Sequence, residues 1–354
     1  MTPNPNGDLN PAADWTAPGA YEVARGVHRI PLPLPMDGLR AVNVYAIESE
    51  AGLTLVDGGW AIDEARGVLE ASLGDIGYKL RDITRFLVTH VHRDHYSNAI
   101  AVRREFGSHV TLGFGEKANL EVIHDDGLER ESLSQRLRLA GAPDLARQWG
   151  ERLGDHAEDA DNYADPDTWL DGDHTLEVGN RAIEAVATPG HTRGHYVFAD
   201  LRDGLLFAGD HVLPTITPSI GFEPAAAELP LRDFLASLVK VRKLPDMRLL
   251  PAHGPVTESV HDRVDELLAH HDVRLDLCME ALEAGPSTGY GVARELPWTR
   301  RNRRFTDLDP FNAGLATMET VAHLELLVAQ GRATSTLQDD RVVFALRRLE
   351  GLQR

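Results

Sequence analysis

The fold is decided by residues 89–95, which read Thr-His-Val-His-Arg-Asp-His. Three imidazoles and one carboxylate fall within six residues there, directly after a short and mostly apolar run, ITRFLVT, typical of a buried strand. At such a strand end His90 and His92 can face one point, while Asp94 and His95 reach a second. Ligands of this kind suit Zn²⁺, with Mn²⁺ or Fe²⁺ as alternatives. The stretch therefore predicts a metal site.

Three later segments each end a β-like run with one further candidate ligand. They are His191 in Thr-Pro-Gly-His, Asp210 in Gly-Asp-His, and His253 in Ala-His-Gly. This arrangement is expected when several strands deliver side chains to one edge of a sheet. We therefore expect all four segments to form one site.

The order of these motifs closely resembles the metallo-β-lactamase-fold hydrolase superfamily, over residues 21–255. The resemblance implies an α/β fold, an αββα sandwich with two metal ions at the edge between the sheets. It implies that Asp210 bridges the metals and that Asp57, in Leu-Val-Asp-Gly-Gly, supports the site without touching metal. The other implied ligands are His90, His92 and His191 for the first metal, and Asp94, His95 and His253 for the second.

The charge balance of such a site favours hydrolysis. Two divalent ions carry four positive charges, and the carboxylates of Asp94 and Asp210 offset only two of them. The excess would hold a bridging hydroxide at neutral pH, because coordination to zinc lowers the pKa of water to about 7. The hydroxide would attack an electrophilic carbon, and the metals would stabilise the oxyanion. We predict a dinuclear metal-dependent hydrolase that cleaves an ester, a thioester or a lactone.

Two side chains beside the ligands join Asp94 as candidate catalytic residues. His195 resembles the second histidine of the family's HTxGH pattern, with a supporting or structural role as the alternative. Tyr96 can place a hydroxyl on the oxyanion, with a packing role as the alternative. Trp60 is either a hydrophobic wall of the cleft or a core residue, and His211 either supports Asp210 or belongs to the core.

Details of the motifs separate subfamilies of this fold. Flavodiiron oxidoreductases resemble an HxExD pattern, whereas this chain has His92 at the second position, which argues against electron transfer. True β-lactamases of the fold usually lack the aspartate that Asp210 supplies, which argues against a β-lactam as the substrate. The family commonly continues DHxGG, whereas Ser97 and Asn98 stand here in place of the glycines. That departure affects the expected shape of the pocket.

Composition bounds the remaining possibilities. The chain has 354 residues and a net charge of −19, which disfavours nucleic acid and anionic membranes as partners. Its single cysteine, Cys278, excludes an intramolecular disulfide and a thiolate-rich zinc cluster. Residues 1–18 lack the features of a secretory signal and are expected to be a disordered tail. No run approaches the ~18 apolar residues of a membrane span, so we expect a cytoplasmic protein.

Hydrophobic patterns predict regular elements on both sides of the motifs. Strands are expected at residues 27–34, 41–47, 53–56, 83–89, 110–112, 175–178, 183–188, 195–199, 205–208 and 248–251. Helices are expected at residues 62–73, 97–106, 231–244, 260–284, 291–296 and 314–330, and a hairpin at 334–346.

Residues 19–256 are therefore the expected catalytic domain, with an insertion at residues 115–173. The insertion begins with a helical region and ends in residues 155–173, which hold eight carboxylates and neither Lys nor Arg. A solvated loop, a cation site and a lid that repels anions all fit this acidic stretch. A helical lid over the metals would favour a bulky apolar acyl or aromatic substrate, and a packed decoration is the alternative.

Residues 257–354 resemble the winged-helix extension of one superfamily branch that includes thioesterase-like and RNA-cleaving members. The run Arg300, Arg301, Arg303 and Arg304 is a solvated turn or an anion contact, for a phosphopantetheine or CoA phosphate or for RNA. The expected partner is an apolar small-molecule acyl substrate, and a homodimer is left open. The alternatives are an endoribonuclease, a β-lactamase-like amide hydrolase, and a winged-helix binding module with a structural metal. Seven ligands argue against the last, because structural zinc is usually closed by four.

Overall fold

The computed structural model describes residues 14–35, 38–125, 128–154, 160–298 and 303–347. Two β-sheets in this part of the chain carry the site. The first has the order β1-β2-β3-β4-β5-β6-β7 and is antiparallel as far as β4 and parallel beyond it. Its strands are β1 (Tyr21–Ala24), β2 (Val27–Pro33), β3 (Ala41–Ser49), β4 (Gly52–Val56), β5 (Ile83–Leu87), β6 (His109–Gly113) and β7 (Thr168–Leu170).

The second sheet has the order β12-β11-β10-β9-β8 and is antiparallel except for the β11–β12 pair. Its strands are β8 (His174–Val178), β9 (Arg181–Ala187), β10 (Tyr196–Asp200), β11 (Leu205–Gly209) and β12 (Arg248–Pro251). The inner faces of the two sheets share one apolar cluster, in which the ring centroids of Tyr45 and Phe207 lie 5.4 Å apart. The sheets therefore pack face to face.

Helices cover both outer faces. On the first sheet, α1 (Asp63–Asp75) and α2 (Arg93–Phe106) bury apolar residues such as Leu69 and Val102 against the strands. On the second sheet, α6 (Pro230–Arg242) and α7 (Val260–Glu283) do the same. The layer order is helix, sheet, sheet, helix, so the predicted αββα sandwich is confirmed.

Helix α2 differs from its prediction at the end that matters for function. It begins at Arg93, with His92 at the N-cap, instead of at residue 97. Asp94 and His95 therefore lie on its first turn and leave the helix toward the end of β5. The apolar pattern did not predict this first turn, because the histidines of the metal-ligand motif interrupt the spacing that indicates a helix.

The insertion contains α3 (Lys117–His124), α4 (Leu128–Leu139) and α5 (Pro143–Gly154). Helices α4 and α5 pack against α9 (Pro310–Ala329), where Trp149 stacks on Phe311 at 5.1 Å. The acidic stretch that follows is anchored as well as solvated: Asp161, Asp167 and Asp173 form ion pairs with Arg104, Arg103 and Lys240. None of its described carboxylates lies in a group with metal-ligand spacing, and residues 155–159 lie outside the described part.

The C-terminal part combines α7, α8 (Gly289–Glu295) and α9 with a small sheet in the order β13-β15-β14. The strands are β13 (Ser287–Thr288), β14 (Ala333–Gln338) and β15 (Arg341–Leu346), so the predicted hairpin is present. Its apolar residues share one cluster with the second sheet and with α6. Arg303 and Arg304 are exposed, whereas Arg300 and Arg301 lie outside the described residues. The winged-helix identity of this part stays a prediction.

The predicted disordered tail is too long. Residues 1–13 lie outside the described part, but the backbone carbonyl of Trp15 accepts a hydrogen bond of 2.7 Å from Arg29, and Asp14 pairs with Arg40 at 3.2 Å. Residues 14–18 therefore pack against β2. None of the described helices has the length and apolar composition to cross a bilayer.

Candidate metal centre

The predicted ligands converge at one edge of the sandwich because they follow the ends of four strands, with Asp94 and His95 on the first turn of α2. His90 and His92 follow β5, His191 follows β9, Asp210 follows β11 and His253 follows β12. Among the described residues these side chains form two adjacent groups with metal-ligand spacing. The groups are His90, His92, His191 and Asp210, and Asp94, His95 and His253.

In the first group, three imidazole nitrogens meet. His92 Nδ1 lies 2.9 Å from His90 Nε2 and 3.1 Å from His191 Nε2. Asp210 Oδ2 lies 3.5 Å from His191 Nε2. The three imidazoles and one carboxylate oxygen therefore point at a common centre.

In the second group, Asp94 Oδ2 lies 3.6 Å from His95 Nε2 and 3.4 Å from His253 Nε2. The other carboxylate oxygen of Asp210, Oδ1, lies 3.7 Å from His95 Nε2 and 3.3 Å from His253 Nε2. Asp210 thus presents one oxygen to each group, as a bridging ligand requires.

Three histidines are held in the tautomer that binds metal through Nε2. The Nδ1 atom of His191 donates to the Ser219 carbonyl, and that of His253 to the Ala41 carbonyl, each at 2.8 Å. His95 Nδ1 donates to Asp57 Oδ2, also at 2.8 Å. Because each Nδ1 hydrogen bond points away from the site, the Nε2 atom of each ring faces the site and is the atom left to bind metal.

These residues fit divalent metal ions. The buried atoms His95 Nε2, His253 Nε2 and Asp210 Oδ1 have no hydrogen-bond partner among the described residues. Leaving buried polar atoms without a partner is costly. A cation between them would remove that penalty, and mixed imidazole and carboxylate ligands are those of zinc and similar ions.

Electrostatics divide the site into a neutral and an acidic half. Burial, reinforced by His191, lowers the pKa of His92 to about 3, so its imidazole is neutral at physiological pH. Burial also lowers the pKa of His95, but the carboxylates of Asp57, Asp94 and Asp210 outweigh it and raise that pKa to about 10, so a metal ion would replace a proton at its Nε2 atom. The second half thus carries the negative charge that attracts cations.

Asp57 joins two strand ends beneath the ligands. Its Oδ1 accepts a hydrogen bond of 2.8 Å from the Thr89 backbone N–H, while its Oδ2 holds His95. Its backbone adopts a left-handed φ of 62°, which turns the chain sharply after β4. The next residue, Gly58, has no room for a side chain, because a Cβ there would lie 2.5 Å from the Ala99 backbone nitrogen. The supporting role implied for Asp57 matches this geometry.

The structure places the polar atoms of His195 and Tyr96 in hydrogen bonds within the protein, and their catalytic roles stay predictions. His195 is buried, its Nε2 accepts a hydrogen bond of 3.2 Å from the Asp210 backbone N–H, and its Nδ1 lies 3.0 Å from Thr188 Oγ1. Both ring nitrogens are thus engaged, and burial holds its pKa well below the usual value. These contacts favour the supporting role that the sequence left open as the alternative.

Tyr96 is also buried, and its hydroxyl donates to the Ala164 carbonyl at 2.6 Å. The hydroxyl therefore ties α2 to the acidic stretch, which favours the packing role that the sequence left open as the alternative.

Ser97 and Asn98 shape the loop that borders the cleft. Ser97 Oγ accepts from the Ala61 N–H at 2.9 Å, and Asn98 Nδ2 donates to the Gly58 carbonyl at 2.7 Å. Trp60 on this loop is half-buried, with the Arg93 guanidinium 4.3 Å from its ring centre. These polar side chains replace the glycines of the usual pattern and tie the loop to α2.

Sequence reasoning missed a buried polar network behind His191. Thr192 Oγ1 donates to Glu116, and Asn119 Nδ2 donates to Glu116 Oε2 at 2.7 Å and to Glu223 Oε2 at 3.2 Å. Glu223 also accepts from the Arg193 backbone N–H at 2.9 Å. The network holds the turn that carries His191. No local signal marks it, because its members are far apart in the chain.

The sequence also gave no indication of an aromatic wall, formed by Phe222, Trp149 and Phe311 beside His92. The ring of Phe222 lies 6.0 Å from that of His92, and it contacts Trp149 of α5 at 5.5 Å and Phe311 of α9 at 5.8 Å. The insertion and the C-terminal part therefore meet beside the first group of ligands.

A helix-sheet-sheet-helix sandwich with paired histidine and aspartate groups at its edge defines a metallo-hydrolase. The family model of the metallo-beta-lactamase superfamily matches residues 37–253. The chain belongs to that superfamily and is a hydrolase with a divalent-metal centre.

Relatives extend this similarity beyond the catalytic domain. A probable metallo-hydrolase of Bacillus subtilis, YqjP, is 24% identical in an alignment of 340 positions that covers 89% of this chain and 96% of the relative. A hydroxyacylglutathione hydrolase of Rhizobium etli is 30% identical over 220 residues, 61% of this chain and 63% of the relative. A solved metallo-beta-lactamase family protein from Thermus thermophilus superimposes with a TM-score of 0.79 at 28% identity, covering 92% of this chain and 100% of its own.

Proposed function

We propose that the chain is a dinuclear metal-dependent hydrolase whose substrate is an acyl-thioester, with esters and lactones as chemically related alternatives. The observation that carries the proposal is the carboxylate of Asp210, with Oδ1 toward one ligand group and Oδ2 toward the other. The similarity to a hydroxyacylglutathione hydrolase supports the thioester, because that name describes an acyl-glutathione substrate.

The chain's own residues prepare the site for two ions, for which zinc is our first choice. Asp57 and the carbonyls of Ser219 and Ala41 orient three imidazoles before any ion binds. Bound divalent ions would lower the pKa of water and polarise an acyl carbonyl. His195 holds the backbone of Asp210, so the bridging carboxylate does not have to reorganise.

The substrate side of the proposal rests on the aromatic wall. Phe222 is half-buried beside His92 and is backed by Trp149 and Phe311. An apolar acyl chain would bury aromatic surface there, at about 25 cal/mol per Å². We therefore favour an apolar acyl group.

The test is a hydrolysis screen with acyl-thioesters, lactones, aryl esters, β-lactams and RNA. We expect turnover of acyl-thioesters by the wild-type chain and its loss in His92→Ala, because His92 Nδ1 lies at the centre of the first group. His174→Ala is the matched control, because His174 is exposed on β8. Full activity of His92→Ala would contradict the proposal.

The same screen decides between the proposal and its alternatives. Cleavage of RNA that falls steeply with salt would favour the endoribonuclease, because phosphate binding releases counterions. Turnover of β-lactams alone would favour the amide hydrolase. For the C-terminal part we propose a winged-helix-like module, supported by its helices and by the β14–β15 hairpin.

A further inference from the structure

A second cluster of metal-ligating side chains lies between α7 and α9. His270 and His271 are neighbours on α7, and Glu319 faces them from α9. One candidate ligand atom from each side chain lies within 4.8 Å of the others. None of these residues belongs to the dinuclear centre. His271 is fully buried, whereas His270 and Glu319 are half-buried, so the cluster remains reachable from solvent.

The tautomer of His271 follows from a chain of hydrogen bonds. His323 Nδ1 lies 2.7 Å from the Glu319 backbone carbonyl and must donate to it, so His323 Nε2 is an acceptor. His271 Nδ1 lies 3.1 Å from that Nε2 and must donate in turn. The remaining nitrogen, His271 Nε2, therefore carries a lone pair. It is buried and has no hydrogen-bond partner among the described residues.

This arrangement repeats the one that prepares His191 and His253 in the dinuclear centre. There a backbone carbonyl fixes the proton on Nδ1, and here His323 relays the same constraint from a backbone carbonyl. Ligating histidines in proteins are typically oriented in this way. Burial also lowers the pKa of His270 to about 4, so its imidazole is neutral and able to ligate at neutral pH.

The charges around the cluster set an expectation for its affinity. Burial raises the pKa of Glu319, and Arg274 opposes that effect. The Arg274 guanidinium stacks on Trp298 at 4.2 Å and donates to the Pro297 carbonyl at 2.9 Å. One carboxylate and two neutral imidazoles beside a guanidinium bind a cation less tightly than a centre with two ligand carboxylates. We expect weaker binding here than in the dinuclear centre.

We propose that His270, His271 and Glu319 form a third, mononuclear divalent-metal site that joins α7 to α9. Imidazole and carboxylate ligands suit Zn²⁺ and similar ions. The site would stabilise the packing of the C-terminal part and would not take part in hydrolysis. The inference does not depend on the substrate proposed above.

The experiment is metal analysis of the full chain after loading with Zn²⁺ and removal of free ions. We expect Glu319→Gln and His271→Ala each to hold one equivalent less than the wild-type chain, and Glu319→Gln to keep its hydrolytic rate. Glu325→Gln is the matched control, because Glu325 is a half-buried glutamate on the same helix whose pKa is also raised by burial. It should hold as much zinc as wild type.

Thermal unfolding supplies a second readout. Zn²⁺ should raise the melting temperature of His92→Ala, whose third site is intact, more than that of the double variant with Glu319→Gln, because a ligand stabilises the state that it binds. Equal zinc content in wild type and Glu319→Gln would overturn the proposal. If His271→Ala fails to fold, as judged by circular dichroism, Glu319→Gln decides, since it removes the charge and keeps the volume.

Discussion

At the scale of single residues, the site depends on hydrogen bonds that hold its ligands from behind. Asp57 accepts from His95 Nδ1 at 2.8 Å and also fixes the Thr89 backbone. The ligands themselves were predictable, because His90, His92, Asp94 and His95 lie within one short motif. The hydrogen bonds of His195 and Tyr96 were not, because their partners, the Asp210 N–H and the Ala164 carbonyl, are remote in sequence.

Replacing Asp57 tests this support directly. Asp57→Ala should lower zinc affinity about 10- to 100-fold, because His95 loses the acceptor that sets its tautomer. Competition against a chelating indicator measures the change. The exposed Asp75 at the end of α1 provides the control, since Asp75→Ala should leave affinity unchanged. Equal affinities of Asp57→Ala and wild type would show that the hydrogen bond does not prepare the site.

Glu116 gives a pH-dependent prediction. Burial raises its pKa to about 7 in the folded chain, against 4.5 for the ordinary side chain. Between these pH values the unfolded chain releases a proton that the folded chain keeps, so the Glu116 contribution to stability falls as pH rises. Glu116→Gln, which can still pair with Thr192 and Asn119, should remove this loss.

The expected gain of Glu116→Gln over wild type is on the order of 3 kcal/mol above pH 7 and vanishes below about pH 4.5. Urea unfolding of both proteins across this pH window measures the difference. A difference that stays constant with pH would contradict the assignment.

At the scale of elements, the insertion packs against the C-terminal part. Helices α4 and α5 bury Leu133, Leu137 and Trp149 against α9. Their helical character could be predicted from periodicity, but their partner could not, because contacts between distant segments leave no local pattern. The short strands β1, β7 and β13 were missed for a related reason: their pairing with a neighbouring strand, and not their own apolar pattern, defines them.

Trp149 is the central residue of this packing. Its ring stacks on Phe311, and its Nε1 donates to the Pro310 carbonyl at 2.9 Å. Trp149→Ala should destabilise the chain by about 3–5 kcal/mol, whereas Trp149→Phe should cost less, because it retains an apolar ring. Chemical denaturation measures both. Unchanged stability of Trp149→Ala would mean that the insertion does not depend on α9.

At the scale of the whole molecule, the sandwich brings distant segments to one edge. The strands that precede Asp57, His90, His191, Asp210 and His253 all end there, although the segments span almost 200 residues. The fold could be predicted because each segment carries a compact motif at a strand end. The contact surface between the catalytic part and α9 could not, because it is built from side chains without a motif.

We propose that Asp210 unites two ligand groups in one hydrolytic metal centre. The most direct measurement is the rate of acyl-thioester hydrolysis during titration of the metal-depleted chain with Zn²⁺, in Glu319→Gln so that ions bound beside α9 do not add to the count. We predict no turnover without metal, a rise that levels off at two equivalents, and no recovery in a chain that also carries Asp210→Asn. Turnover by the depleted chain at the full rate would contradict a metal-dependent centre.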